Sequence, residues 1–232
     1  MTALSANLQA VLARIDSACR RVGRDPSSVR LLAVSKTFPA EAVVEVANAG
    51  QHAFGENYVQ EGCTKAEALA ALSLEWHFIG PLQSNKSRPV AQHFHWVHSV
   101  DRLKIAQRLS EQRPAHHEPL NVCIQVNVSG EASKSGIAPD AAVDLALQVA
   151  ELPHLRLRGL MAIPEPSEDQ TLLRSRFALL RTLRDTVCEE YGLPLDTLSM
   201  GMSSDLDIAI AEGATMVRVG TAIFGARTAA NP

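Results

Sequence analysis

The feature that most constrains this chain is a repeated order. An apolar, β-branched run is followed by a stretch with helical spacing, and then by another such run. The candidate strands are Arg30–Ser35, His52–Gly55, Glu75–Ile79, His95–Ser99, Asn121–Val128, Leu155–Leu160, Thr197–Met200 and Met216–Val219. Between them lie helical stretches such as Pro39–Ala49, Glu56–Leu72, Asp101–Gln112, Asp140–Glu151, Gln170–Glu190 and Ser204–Glu212. Parallel neighbours need a crossover, so strict alternation predicts a parallel sheet. Eight such units in 232 residues fit a closed (β/α)8 TIM barrel of the α/β class. In Asn121–Val128, Val122, Ile124, Val126 and Val128 alternate with Cys123, Gln125 and Asn127. One set is expected to face the helices and the other to fill the interior. The chain after the eighth strand is too short for a full eighth helix. An extra N-terminal helix, with Leu4, Leu8, Val11, Leu12, Ile15, Cys19 and Val22 along one face, is expected to cover that gap. A doubly wound open sheet is the alternative. It normally carries a Gly-rich turn after its first strand, and Ser35-Lys36-Thr37-Phe38-Pro39 is not one.

The apolar fraction of 46% against 20% charged supplies a core for a single domain over residues 1–232, with no linker or internal repeat to divide it. A net charge of −3 without a basic run gives no support to nucleic-acid binding. No stretch nears the ~18 apolar residues of a membrane span. The N-terminal face, broken by Arg14 and Asp16, is not a signal peptide. Cys19, Cys63, Cys123 and Cys188 form no C-x-x-C pair and read as free thiols of a reducing compartment, so a cytoplasmic location is expected. The N-x-S matches at Asn85 and Asn127 then carry no glycan.

Barrel chemistry sits at the C-terminal ends of the strands. The first strand ends at Lys36, one of only five lysines against seventeen arginines. Desolvation there favours the neutral amine that a Schiff base needs; a snorkelling lysine is the plainer reading. The second strand leads to Phe54-Gly55-Glu56-Asn57-Tyr58, and the third to His77-Phe78-Ile79-Gly80-Pro81, with Ser84 as a cap for the next helix. After the seventh comes Met200-Gly201-Met202-Ser203-Ser204-Asp205. Ser203 or Ser204 is a natural N-cap there, and Ser204 with Asp207 resembles a capping box. The eighth gives Arg218-Val219-Gly220-Thr221. Helix N-termini and close backbone in the loops after strands seven and eight suit a phosphate. Arg218 needs a partner, either a ligand or an internal carboxylate such as Glu56. Strand eight closes on strand one, so the lysine and the phosphate cradle are adjacent. A Schiff-base lysine, a phosphate cradle and an arginine together describe a pyridoxal 5'-phosphate site, and an arginine facing the ring nitrogen keeps it unprotonated and weakens the ring as an electron sink.

At these residues the chain resembles the pyridoxal phosphate homeostasis protein family. The segments are Ala33-Val34-Ser35-Lys36, Phe54-Gly55-Glu56-Asn57-Tyr58, Trp76-His77-Phe78-Ile79-Gly80, Lys134-Ser135-Gly136, Gly159-Leu160-Met161, Met200-Gly201-Met202-Ser203 and Arg218-Val219-Gly220-Thr221. The resemblance implies a barrel like the N-terminal domain of alanine racemase, the fold type III arrangement. It implies that Lys36 holds pyridoxal 5'-phosphate as a Schiff base. It also implies that Ser203, Gly220 and Thr221 hold phosphate, that Arg218 meets the pyridine nitrogen, and that Asn57, His77 and Met161 line the pocket.

A two-base racemase needs an acid/base opposite the lysine. Alanine racemases bring a tyrosine from a further β-domain of the partner subunit, and this chain has no room for that domain. Its two tyrosines are Tyr58 and Tyr191, the latter beyond a long helix. The expectation is a non-catalytic carrier that buffers the cofactor or delivers it to apo-enzymes, as a monomer or at most a weak dimer. The alternatives are a fold type III racemase or decarboxylase, and a Schiff-base aldolase or phosphate-ligand barrel without cofactor. Lys134, in the loop after strand five, is a candidate transient acceptor of the aldehyde, against the plainer reading of a solvated loop lysine. His93 and His95 share a strand face that His98 opposes, a poor arrangement for zinc. His116-His117 reads as a surface loop. Arg174, Arg176, Arg181 and Arg184 form a charged helix face able to dock an acidic partner.

Overall fold

The computed structural model describes residues 2–130 and 135–226. Its strands are β1 Arg30–Val34, β2 Ala53–Glu56, β3 Glu75–Phe78, β4 Trp96–Val100, β5 Leu120–Gln125, β6 Leu155–Met161, β7 Thr197–Ser199 and β8 Met216–Val219. They form a closed parallel barrel in sequence order. Closure comes from β1 on β8, in register from Arg30↔Met216 to Ala33↔Val219. The helices are α1 Ala3–Arg21, α2 Ala40–Asn48, α3 Val59–Ala68, α4 Ser87–His93, α5 Leu103–Gln112, α6 Ala142–Ala150, α7 Gln170–Tyr191, α8 Leu206–Ala211 and α9 Thr221–Phe224. No helix among the described residues is long and apolar enough to cross a membrane.

The alternation in β5 does what its pattern predicts. Val122, Ile124, Val126 and Val128 join the large apolar layer between strands and helices. Cys123 faces inward and packs with Trp96 and Met161. A second inward cluster holds Leu32, Val34, Ala53, Ile79 and Met216. The α1 helix packs on α8 and α9, in the gap left by the short final helix. It buries Leu8, Val11, Ile15 and Cys19, while Leu12 and Val22 lie exposed. Asn7 Nδ2 donates to the Ile223 carbonyl at 2.9 Å, and Arg14 Nη1 to the Ser203 carbonyl at 2.7 Å. The extra helix therefore braces the two loops that follow β7 and β8.

Several boundaries differ from expectation for local reasons. The helix expected from Glu56 begins at Val59, because Glu56 ends β2 with its carboxylate buried. The β5 strand stops at Gln125, after which Asn127 N–H donates to the Ile137 carbonyl. The α8 helix begins at Leu206, not Ser204. There Asp205 accepts from Met202 N–H at 2.5 Å, and Asp207 is taken by Arg14 and Arg21, so neither Ser203 nor Ser204 serves as the cap and no Ser204–Asp207 box forms. Ser84 opens a 3₁₀ turn without a side-chain cap; its carbonyl instead accepts from Ser87 Oγ at 2.9 Å.

Candidate functional site

A cavity of about 310 Å³ opens at the C-terminal end of the barrel, between β1 and the loops after β7 and β8. It is lined by Lys36, Asn57, Ser203, Arg218, Gly220 and Thr221, six of the eight residues expected at the site. The other two lie one layer deeper. Side chains two apart on a strand share a face, and the pocket is lined by Ile79 and Ile163, not His77 and Met161. His77 and Met161 are fully buried in the barrel interior. The structure thus brings six of the eight to the cavity surface and sets His77 and Met161 beneath it. Val34, Phe38, Met202, Ser204 and Gly225 also line it and were missed. The alternation along each strand, extended one residue past β3 and two past β6, was the signal available for Ile79 and Ile163.

Lys36 follows β1 and is flanked on both sides by fixed backbone. Behind it, on the helix side of the barrel wall, the buried Lys65 Nζ donates to the Ser35 carbonyl at 2.8 Å, to Glu56 Oε1 at 2.8 Å and to Glu61 Oε1 at 2.7 Å. Ser35 Oγ donates to Glu56 Oε1 at 2.6 Å, and Thr37 N–H to Glu61 Oε1 at 2.6 Å. Thr37 adopts a left-handed φ of 68°, a conformation unusual for a β-branched residue. Burial pushes the Glu56 carboxyl up, opposed by the charge and hydrogen bond of Lys65 and by Ser35. Glu56 is thus the partner of Lys65 and not of Arg218.

Arg218 is buried, and among the described residues no carboxylate hydrogen-bonds to it. Its Nη1 donates to Ser199 Oγ at 2.7 Å and its Nη2 to the Ala162 carbonyl at 2.8 Å. Burial pushes the guanidinium down to about 10, partly offset by Asp205 and Cys123, so it remains charged at neutral pH. Gly80 is a steric requirement, and Gly220 sits at a tight approach. A Cβ on Gly80 would meet the Asn57 carbonyl oxygen at 2.1 Å, and one on Gly220 the Val34 carbonyl at 3.1 Å. Gly80 thereby seats Asn57, and Gly220 lets the β8 loop close on β1. Asn57 Oδ1 is buried with no hydrogen-bond partner, a costly state unless something donates to it.

The remaining sequence candidates fall elsewhere. Lys134 lies outside the described residues. His93 ends α4, His95 precedes β4 and His98 lies inside the barrel, so the first two do not share a strand face. No group of three or more His, Cys, Asp or Glu is placed to hold a metal among the described residues. His116 and His117 occupy the surface connection before β5. The α7 arginines meet acidic groups of this chain: Arg174 and Arg181 pair with Glu212, Arg176 with Glu165 and Arg184 with Asp185. Tyr58 and Tyr191 are exposed, and neither lines the pocket.

A parallel eight-stranded barrel with its pocket over the first and last strands defines the class. Residues 6–228 match the family described as "Alanine racemase, N-terminal domain". Alanine racemase from Corynebacterium glutamicum shares that fold, with a TM-score of 0.69 at 16% identity over 95% of this chain and 62% of that one. Within the class the relationship is closer. The pyridoxal phosphate homeostasis protein of Pseudomonas aeruginosa is 62% identical over 227 residues, 98% of this chain and 97% of the relative. The structure of PipY from Synechococcus elongatus PCC7942 with PLP bound is 39% identical, with a TM-score of 0.80, over 92% of this chain and all of that one. The chain belongs to the pyridoxal phosphate homeostasis protein family.

Proposed function

We propose that this protein binds pyridoxal 5'-phosphate reversibly, buffering it and delivering it to apo-enzymes, and that it does not transform amino acids. The observation that carries the reading is the pocket itself. Lys36, Asn57, Ser203, Arg218, Gly220 and Thr221 converge from the ends of β1, β2, β7 and β8, and the buried Asn57 Oδ1 awaits a donor. The cofactor supplies an aldehyde that a lysine amine attacks reversibly, together with a phosphate and an aromatic ring nitrogen. Lys36 Nζ is the amine. Ser203 and Thr221 offer hydroxyls, and the Gly220–Thr221 backbone offers first-turn N–H groups, to the phosphate. Arg218 has only donors to give, so a ring nitrogen it meets accepts a hydrogen bond and takes no proton. That disfavours carbanion chemistry.

The same reading takes residues 1–232 as one cofactor-binding unit, cytoplasmic, and monomeric or at most weakly dimeric. It is favoured over a racemase or decarboxylase of the same fold. The test is to incubate the protein with pyridoxal phosphate, record its absorption, reduce with borohydride and map the modified peptide. A yellow protein with its pyridoxyl group on Lys36, and a colourless Lys36→Ala, is the expected result. An uncoloured wild type with Lys36 unmodified rejects the proposal. Racemisation or decarboxylation of amino acids by the loaded protein rejects its non-catalytic part.

A further inference from the structure

Beneath the pocket the barrel interior is not wholly apolar. Arg30 Nη2 donates to Glu75 Oε1 at 3.0 Å at the N-terminal mouth. From there an unbroken series of contacts climbs through the lumen. His77 Nε2 lies 2.6 Å from Glu75 Oε1, and His77 Nδ1 lies 2.9 Å from His98 Nε2. His98 Nδ1 lies 2.8 Å from Ser199 Oγ, which accepts from Arg218 Nη1 at 2.7 Å. The series crosses from β3 and β4 to β7 and β8 and ends on a residue that lines the pocket. His77, His98, Ser199 and Arg218 are all buried.

The chemistry of the end groups gives the series a single direction. Burial alone would raise the Glu75 carboxyl, but the hydrogen bond from His77, with the charge and hydrogen bond of Arg30, holds it well below the usual carboxylate range. As an ionised carboxylate it only accepts, so His77 Nε2 carries the hydrogen. Burial lowers both His77 and His98 from their ordinary value, so both rings are neutral above about pH 7, with Glu75 opposing this at His77 and with Arg30, Arg218 and His95 the other charged or titratable groups acting on the pair. A neutral ring protonated on Nε2 accepts at Nδ1. His98 Nε2 must then donate to His77, and Ser199 O–H must donate to His98 Nδ1. Ser199 accepts from Arg218. Every bond points the same way, from the guanidinium at one end to the carboxylate at the other, and such chains polarise in concert.

We propose that Glu75, His77, His98 and Ser199 are positioning residues for Arg218, forming a one-directional hydrogen-bond relay across the barrel that fixes the donors Arg218 turns to the ring nitrogen of a bound cofactor. The ring-nitrogen half rests on the pyridoxal phosphate reading above; the direction of the relay does not. Two of the five guanidinium N–H donors are committed to Ser199 and Ala162, which sets the plane and rotation of the group and hence the aim of the rest.

Nitrogen-15 NMR of the ligand-free protein tests the direction. Both His77 and His98 are expected as neutral Nε2–H tautomers at about pH 8, above the ordinary histidine value from which burial lowers them. An Nδ1–H tautomer or an imidazolium at either ring overturns the relay. Glu75 sits at the half-exposed mouth, so Glu75→Gln should fold; its amide both donates and accepts, and His77 should then show mixed tautomers. Titration with pyridoxal phosphate tests the role. Glu75→Gln and His98→Asn are expected to weaken affinity roughly tenfold and to shift the chromophore band, because the ring nitrogen feels a reoriented Arg218. Glu67→Gln, a surface carboxylate off the relay, should do neither. Affinity and band position unchanged in Glu75→Gln overturn the positioning role. A wild type that takes up no cofactor but keeps both tautomers sinks the cofactor reading, and the role with it, while leaving the direction established.

Discussion

Lys36 and Arg218 face one cavity, yet they are supported in opposite ways. Behind Lys36, outside the barrel wall, stands an ionic node: one buried ammonium shared between two carboxylates and a carbonyl. Below Arg218, inside the wall, stands a neutral relay of two imidazoles and a hydroxyl, with its charges kept to the ends. The contrast follows from solvation. The node borders the half-exposed Glu61, so part of its charge still reaches water. The relay's charged ends also reach water, Glu75 at the half-exposed mouth and Arg218 at the pocket, but the two histidines between them are fully buried, and burial lowers both. A node holds backbone by strong, short contacts. A relay aims a side chain by fixing tautomers.

The node should be the more fragile of the two. Lys65→Met removes the cation that pairs with Glu56 and Glu61, at a site where Glu56 Oε2 lacks a partner among the described residues. Breaking a buried pair by removing one member costs about 3–5 kcal/mol. Urea unfolding at pH 7 should register a loss of that order, with cofactor loading falling as the Ser35–Thr37 backbone loosens. The loss should shrink at pH 5. Without Lys65 the already raised Glu56 carboxyl takes up a proton in the folded state before it does so in the unfolded one, so stability is regained as pH falls. A loss below 1 kcal/mol at pH 7 would dissolve the contrast, since the node would then be no stronger than a surface pair.

The relay predicts a pH dependence of the other sign. His77 and His98 have folded pKa values below the unfolded 6.5, so below that pH the unfolded chain binds more protons. Stability is therefore fully present above about pH 6.5 and declines as pH falls toward the folded values, by up to about 1.4 kcal/mol per pH unit for each histidine. His95 and His117, also lowered by burial, add to the slope. Denaturation of His98→Asn between pH 5 and 7 should show a slope smaller by about one histidine's share. An unchanged slope means that His98 is protonated in the fold and the relay is not neutral.

How much of this was legible in the sequence depended on distance along the chain. The barrel was, because alternation within β5 and the spacing of strand and helix are local patterns. The pocket rim was largely legible, because Lys36, Ser203 and Gly220 sit just past strand ends. Depth was less so: His77 and Met161 lie beneath the cavity lining, since the level of each strand end depends on register with its neighbours. Neither network was legible. Glu56 finds its cation nine positions on, outside any helical or strand spacing, and was read as the start of a helix. His98 meets Ser199 across 101 residues, a pairing only the closed barrel produces. Asp207, read as part of a cap, is held by arginines of α1.

The smallest expected effects discriminate best, because each network contains one serine and the same substitution can be made in both. Ser35→Ala deletes a donor to Glu56 Oε1, which keeps its contact to Lys65, while the Ser35 carbonyl keeps its own. A loss of about 1.5 kcal/mol in stability is expected, as for a hydrogen bond to a charged group. Ser199→Ala deletes the acceptor of Arg218 Nη1 and the donor to His98 Nδ1 together. Its stability loss should be similar, about 1–3 kcal/mol, since two buried groups lose one partner each. The affinities should part company. Ser35→Ala leaves the backbone around Lys36 pinned through Lys65 and should change pyridoxal phosphate binding by less than about threefold, whereas Ser199→Ala frees the guanidinium to rotate and should cost roughly tenfold. Binding titrations on both variants, each compared with its own unfolding free energy, give the ratio that matters. Equal ratios would mean that both networks merely support the fold. A ratio several times larger for Ser199→Ala would show that the relay acts on the ligand through Arg218.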